Sequence, residues 1–189
     1  KVFKNSNFRK AAFGYFGHMW ELYTFWVFTP ILLLKYHELH SAIFFNIPIL
    51  SFIIIAVGSF SCVLGGYISQ ILGVKKTAFS FLLASCLCCI ISPFIFNFSN
   101  EYLFIAFLVF WGMVVIADSP LFSTLVARNA PSKDKGTALT IVNCIGFSIT
   151  IISIQLVNSF MNLTDSNFIF MILAVGPFFG LISLKEKRN

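Results

Sequence analysis

Three ionisable residues in otherwise apolar sequence have the chemistry of a proton-exchange site. His18 and Glu21 lie three residues apart in the segment GYFGHMWELY, residues 14–23, and Asp118 lies in a second apolar segment. Residues three, four and seven apart share one face of a helix, so we predict that His18 contacts Glu21. An imidazole beside a carboxylate can take up and release a proton near neutral pH. We therefore predict a site for substrate contact or proton coupling at Glu21, Asp118 and His18.

The composition of the chain indicates that these residues lie in a membrane. Of the 189 residues, 58% are hydrophobic and 11% are charged, whereas a soluble domain has roughly 25% charged residues. Apolar runs long enough to cross a bilayer, about 20 helical residues each, recur along the sequence. We therefore predict an all-α integral membrane protein with no enzymatic activity and no catalytic residue, and we expect neither a metal nor a cofactor.

Six predicted spans, labelled A to F, make residues 1–189 a single transmembrane bundle. They cover approximately residues 11–34, 43–71, 77–97, 102–127, 137–161 and 166–184. If span A begins in the cytoplasm, only Lys35 among the basic residues lies outside, which by the positive-inside rule orients both termini inward. The cytoplasmic set is then Lys1, Lys4, Arg9, Lys10, Lys75, Lys76, Arg128, Lys133, Lys135, Lys185, Lys187 and Arg188.

The two buried carboxylates are predicted to lie at the same depth. Glu21 is about ten residues from the cytoplasmic start of A and Asp118 about ten from the cytoplasmic end of D, so both lie roughly 15 Å deep. A charge at the bilayer centre costs about 2.5 to 3.5 kcal/mol on insertion scales, so each should face protein or water. Structural roles stay open: Glu21 locked to a neighbouring helix, His18 as an interhelical donor, and Asp118 as a gate latch.

Small and polar residues predict how some spans meet. Gly58, Cys62 and Gly66, with Ser61, Gly65 and Ser69, repeat at spacing four in span B and indicate close helix packing. Span E carries a stripe of Thr140, Asn143, Gly146, Thr150 and Ser153, which could line a water-filled path or hold E to its neighbours. Pro120 removes the backbone hydrogen bond to the carbonyl of Ile116 and predicts a break in D beside Asp118.

Two loops resemble motifs of the major facilitator superfamily. GYISQILGVKK, residues 66–76, matches the family's cytoplasmic loop motif at Gly66, Gly73 and Lys75, but Gln70 and Ile71 replace its acidic residue and a basic one. PSKDKGTAL, residues 131–139, resembles the family's proline-then-basic-glycine pattern. The resemblance implies the C-terminal half of a twelve-helix transporter, built as two inverted three-helix repeats. The sequence also begins without methionine, and we expect it to be part of a longer protein.

The same resemblance implies a mechanism, partners and a place in the cell. It implies a secondary active transporter of a small solute that works by alternating access, with an N-terminal six-helix half and the lipid bilayer as partners. Spans A and D would line the cavity, for which we predict Gly17, Trp111, Asn143 and Thr150 as lining residues. The chain is expected in a bacterial inner membrane. The alternative is a non-transporting scaffold or enzyme subunit in which the carboxylates are structural.

Three segments are similar to bacterial porters of nitrate, nitrite or cyanate. They are GHMWELY in span A, ADSPLFSTLVARNAP in span D and NCIG in span E. Nitrate porters resemble one another in carrying a substrate-binding arginine in span B, and no arginine occurs there. This half of the protein therefore does not support anion transport.

Overall fold

The computed structural model describes residues 2–40, 46–164 and 166–185, which are mostly helical with no strand among them. The predicted all-α class is therefore confirmed. Short 3-10 helices cover Val2–Lys4, Ser132–Asp134 and Asn167–Ala174. The α-helices are α1 Ser6–His40, α2 Ile47–Ala56, α3 Gly58–Leu72, α4 Val74–Phe96, α5 Glu101–Ala117, α6 Ser119–Asn129, α7 Lys135–Leu163 and α8 Val175–Leu184.

These helices form six long segments that match the six predicted spans. Within the described residues, five segments are long and apolar enough to cross a membrane: Ile47–Leu72, Val74–Phe96, Glu101–Asn129, Ser132–Leu163 and Asn167–Leu184. Helix α1 is not among them, although its 35 residues would extend about 50 Å at 1.5 Å per residue. Its buried polar residues, His18 and Glu21 above all, lower its hydropathy.

Predicted boundaries differ from the observed ones chiefly at helix ends. Helix α1 continues past the predicted range of 11–34 in both directions, because its polar ends extend the helix beyond the apolar run. The predicted start of the second span, residues 43–45, lies outside the described residues. So do Lys1, Lys187 and Arg188, three of the basic residues used to predict orientation.

Three local features bend or separate the spans. The second span is divided at Val57 into α2 and α3, a break that the sequence reasoning did not predict. Gly73 has φ 86°, a left-handed conformation that glycine tolerates, and it separates α3 from α4. The fourth span is divided at Asp118, next to Pro120, as predicted.

The packing of the spans repeats between the two halves of the chain. The first, second and third spans correspond to the fourth, fifth and sixth. The contact of the first span with the fifth corresponds to that of the fourth with the second, and the contact of the first with the sixth corresponds to that of the fourth with the third. The first and fourth spans also contact each other, as do the third and sixth. Each triplet has an odd number of helical segments, so the second triplet begins at the opposite end of the bundle from the first. This pattern is that of two inverted repeats.

Small residues bring the second and fourth spans together, as predicted for span B. A Cβ added at Gly58 would meet Ile116 Cγ2 at 2.5 Å, and one at Gly65 would meet the Ala117 carbonyl at 3.0 Å. Ser61 is buried and donates to the carbonyl of Met113 at 2.6 Å. The prediction is wrong for Gly66, where an added Cβ would meet nothing within 4 Å.

Basic residues gather at one end of the bundle. Asn7, Lys10, Lys75 and Asn129 line a single cavity of about 210 Å³ there, and Asn5 Nδ2 donates to the carbonyl of Asn129 at 3.2 Å. At the opposite end, the hydroxyl of Tyr36 donates to the carbonyl of Phe98 at 2.8 Å. The outer surface between the two ends is apolar, with exposed side chains such as Phe52, Phe60, Ile71 and Phe179.

Candidate functional site

Glu21 lies on α1 at the centre of the bundle and is completely buried. Its Oε1 accepts hydrogen bonds from Trp111 Nε1 at 2.7 Å and from Cys89 Sγ at 3.2 Å. Its Oε2 accepts from Ser85 Oγ at 2.9 Å. Three donors on one carboxyl group are enough to offset much of the cost of removing it from water.

Two helices position these donors. Ser85 and Cys89 are four residues apart on α4 and so lie on the same face, one turn above the other. Trp111 belongs to α5, and its fully buried ring packs against Phe25 with 4.6 Å between ring centroids. The carboxylate of α1 is thus held simultaneously by the third and fourth spans.

Ser85 can adapt to either protonation state of Glu21. Its Oγ lies 2.9 Å from Glu21 Oε2 and also 3.2 Å from the carbonyl oxygen of Leu82 on its own helix. A hydroxyl has one donor and two acceptor lone pairs, and its hydrogen rotates to suit. Ser85 can therefore donate to an ionised Glu21, or accept from a protonated Glu21 while donating to Leu82.

His18 and Asp118 form a second buried contact one helical turn away from Glu21. His18 Nδ1 lies 2.8 Å from Asp118 Oδ1, and the two side chains are 1% and 0% exposed. The separation is that of an ion pair, but the contact lacks the angles of a hydrogen bond. Within the described part of the chain, no polar atom of either side chain has a hydrogen-bond partner. The pair is therefore buried with unused hydrogen-bonding capacity.

The predicted contact between His18 and Glu21 is wrong. Among the described residues, His18 pairs with Asp118, while Glu21 bonds to side chains from α4 and α5. Sharing a helix face is insufficient to join two side chains when neighbouring helices offer better partners. Asp118 therefore lies level with His18, and Glu21 is about 4.5 Å further along the α1 axis, three residues at 1.5 Å.

Asp118 occupies the break between α5 and α6. Pro120 has no N–H with which to bond the carbonyl of Ile116. Cys62 Sγ, from the facing α3, donates to that carbonyl at 3.4 Å. The backbone group freed by proline is thus satisfied by a neighbouring helix, which is the condition for a broken helix inside a membrane.

The four predicted cavity-lining residues do not line a common cavity in this structure. An added Cβ at Gly17 would meet the Gly176 carbonyl oxygen at 2.4 Å, so Gly17 lies in a tight contact between α1 and α8. Trp111 is buried as a donor to Glu21, and Thr150 is buried and donates to the carbonyl of Met19 at 2.9 Å. Asn143 is half-buried on α7.

The polar stripe of the fifth span mainly holds α7 to α1. Ser153 Oγ donates to the carbonyl of Trp20 at 2.7 Å and accepts from Thr24 Oγ1 at 2.9 Å. At Gly146, an added Cβ would meet Tyr15 at 2.8 Å. Thr140, by contrast, is exposed and bonds to its own helix at Gly136. Of the two alternatives for this stripe, the contacts favour helix packing at Gly146, Thr150 and Ser153.

Sequence reasoning missed two residues of this site, Ser85 and Cys89. The cysteines of the chain differ in their surroundings: Cys89 donates to Glu21, Cys62 donates to the carbonyl of Ile116, and Cys144 is exposed. A signal for the pair existed in the polar atoms of Ser85 and Cys89, one turn apart on an apolar helix. This pattern did not indicate which charged group Ser85 and Cys89 would contact.

Comparison with known proteins agrees with the fold and with the loop motifs. The family model described as Major Facilitator Superfamily matches residues 1–154 and so includes α1 to α6, with both buried carboxylates and their partners. A search of curated proteins found no match. The matched region covers most of the chain, and its helical segments are long and apolar. The chain is an integral, multi-pass membrane protein and belongs to the Major Facilitator Superfamily of membrane transporters.

Proposed function

We propose that this protein is a proton-coupled secondary transporter of a small solute that works by alternating access, and that Glu21 carries the coupling proton. The observation that carries the proposal is the position of Ser85 between Glu21 Oε2 and the Leu82 carbonyl. A carboxyl group held only by rigid donors would lose a hydrogen bond on protonation. Here the ionised and the protonated carboxyl group both keep a hydrogen bond to Ser85, so gaining or losing a proton leaves no buried polar group without a partner.

Coupling also requires that the protonation state bias the arrangement of the helices. Glu21 belongs to the first triplet of spans, and it is bonded to Ser85 and Cys89 of the same triplet and to Trp111 of the second. Protonation weakens the bond to Trp111, because a neutral carboxyl oxygen is a poorer acceptor than a carboxylate. The proton would therefore loosen a contact between the two repeats.

The His18–Asp118 pair gives the same interface a second polar contact. It joins α1 to the break in the fourth span, where the backbone is divided between two helices and held by Cys62. Discontinuous helices near the midplane are a recurring feature of transporter binding sites. We propose that His18 and Asp118 form a latch that opens when α5 and α6 change their relative angle. Asp118 would then be the carboxylate nearest to an entering solute.

The remaining half of the cavity is proposed to come from an N-terminal six-helix half. The face-to-face arrangement of two such halves would let Gly17, Trp111, Asn143 and Thr150 approach a shared cavity in another state of the transport cycle. The basic end of the bundle is proposed to face the cytoplasm of a bacterial cell, following the positive-inside rule. Membership of a transporter family favours this function over a scaffold or an enzyme subunit.

Similarity to porters of nitrate, nitrite or cyanate remains a hypothesis about the subgroup. Neither the buried cluster nor the second span supplies an arginine that would bind such an anion, since residues 43–71 contain none. Small organic acids, inorganic anions and sugars all remain substrate candidates. A melting-temperature screen of the complete protein against these three classes would identify the solute, because a bound solute stabilises the folded state.

Transport by the Glu21→Gln variant tests the proposal. The solute that gives the largest rise in melting temperature would be used with proteoliposomes of the complete protein. We expect Glu21→Gln to lose uptake driven by a pH gradient but to retain counterflow exchange, in which no net proton movement is needed. The amide keeps the shape of the side chain and can still accept from Trp111. Gradient-driven uptake at the wild-type rate would overturn the proposal that Glu21 carries the proton.

A further inference from the structure

A groove of about 770 Å³ opens at the basic end of the bundle, well away from the buried cluster. It lies where the third, fourth and sixth spans end, between the start of α4, the end of α6 and the end of α8. Its lining residues combine basic side chains with apolar ones. They are Leu72, Gly73, Val74, Lys75, Lys76, Phe79, Ser80, Leu125, Arg128, Leu184 and Lys185.

The charged side chains among the described lining residues of the groove are all basic. Lys75, Lys76, Arg128 and Lys185 line it, and none of the described lining residues is acidic. These cations come from three different segments, so the chain fold and not a run of sequence gathers them. Lys76, Arg128 and Lys185 repel one another, and an anion bound between these three side chains would reduce that repulsion.

The backbone at the start of α4 adds donors to this set. Helix α4 begins after Gly73, which has no side chain to cap the helix, so the first-turn amides of Val74 and Lys76 have no partner within the helix. An added Cβ at Gly73 would meet nothing within 4 Å, so the backbone is open to a ligand there. A helix of 23 residues also presents a positive dipole end at this point.

The apolar wall of the groove continues onto the outer surface of the bundle. Phe79, Leu83 and Leu87 follow one another at spacing four along α4 and so form one stripe. Leu83 is 41% exposed and Leu87 is 48% exposed. The stripe runs from the groove toward the middle of the bilayer. A ligand with a charged head and an apolar tail could therefore bind with its head in the groove and its tail along the stripe.

We propose that this groove binds the phosphate headgroup of an anionic phospholipid, with an acyl chain along Phe79, Leu83 and Leu87. The apolar wall and its continuation into the lipid-facing surface favour a phospholipid over a small soluble anion, which would leave them unused. The position of the groove at the ends of three spans places it at the depth of the headgroups. A lipid held there would join α4, α6 and α8.

The test is a titration of the complete, detergent-solubilised protein with short-chain phosphatidylglycerol, in which the melting temperature of the protein is measured at each lipid concentration. The variant Lys76→Gln/Arg128→Gln/Lys185→Gln removes three cations of the groove. A basic residue near a membrane surface contributes about 1 kcal/mol to anionic-lipid binding, which is about fivefold in affinity. We therefore expect the lipid concentration for half-maximal stabilisation to rise about 100-fold in this variant.

A matched control variant removes three cations from the same end of the bundle but outside the groove: Lys4→Gln/Lys133→Gln/Lys135→Gln. We expect its phosphatidylglycerol titration to match that of the wild type. If both variants bound phosphatidylglycerol equally weakly, the charge at this end of the bundle would act only as a diffuse field. That result would overturn the proposal of a lipid site in the groove. Stabilisation by phosphatidylcholine or by inorganic phosphate, at the concentration at which phosphatidylglycerol acts, would equally overturn the assignment to an anionic phospholipid.

Discussion

Ser85 Oγ lies 2.9 Å from Oε2 of Glu21, and both side chains are completely buried. A serine and a glutamate on different spans thus form a polar contact at the centre of an apolar bundle. Because the same hydroxyl also reaches the carbonyl of Leu82, the contact can reverse its direction without losing a hydrogen bond. This relationship makes proton binding at Glu21 compatible with a dry interior.

Trp111→Phe should destabilise the protein more than the same substitution at Trp26. Trp111 donates its Nε1–H to Glu21, and a hydrogen bond to a charged group contributes about 1.5 to 3 kcal/mol. The Nε1 of Trp26 is buried without a hydrogen-bond partner in the described structure, so removing it should cost little or even stabilise. Unfolding free energies of the two variants make the comparison. Equal losses would mean that the Trp111–Glu21 bond contributes no net stability.

Gly17→Ala should destabilise the contact between α1 and α8. The added Cβ would come within 2.4 Å of the Gly176 carbonyl oxygen, a backbone atom that cannot rotate away. Overpacking of this kind typically costs about 1 to 3 kcal/mol. Gly66→Ala is the control, because its Cβ would meet nothing within 4 Å and alanine favours a helix. A melting temperature for Gly17→Ala equal to that of Gly66→Ala would contradict the close approach of these helices.

His18 and Asp118 should behave as one unit in a double-mutant cycle. Removing one partner of a buried pair leaves the other unpaired and typically costs about 3 to 5 kcal/mol. We expect His18→Gln and Asp118→Asn each to lower the unfolding free energy, and the double variant to lower it no further than the worse single one. Losses that simply add would show that the two side chains do not interact, and the latch proposed for them would then be wrong.

The sequence predicted the helical class, the number of helical segments and the break at Pro120, because these depend on local composition. Long apolar runs can only be satisfied as helices in lipid, and proline interrupts the helix wherever it falls. No proline lies at the break at Val57, so the sequence did not predict that break. Small residues on the second span likewise predicted close packing, but not that Gly66 would have no close neighbour while Gly58 and Gly65 contact α5.

The buried charges were identifiable from sequence, but their partners were not. A carboxylate in an apolar span must be paired, so Glu21 and Asp118 were evident candidates. Which side chains pair with them depends on the rotation of each helix about its axis, and that is set by packing across the whole bundle. Helix geometry within α1 favoured a contact between His18 and Glu21, whereas tertiary packing brought His18 to Asp118 and Glu21 to Ser85, Cys89 and Trp111.

Proton flux driven by the solute is the most direct test of coupling through Glu21. Proteoliposomes of the complete protein would contain a pH-sensitive dye, with the solute found by the melting-temperature screen added outside and no pH gradient imposed. We expect the wild type to change the internal pH in step with solute entry, and Glu21→Gln to allow solute exchange with no change in internal pH. Solute entry without proton movement in the wild type would contradict proton coupling. Proton movement in Glu21→Gln equal to that of the wild type would contradict the role of Glu21 in it.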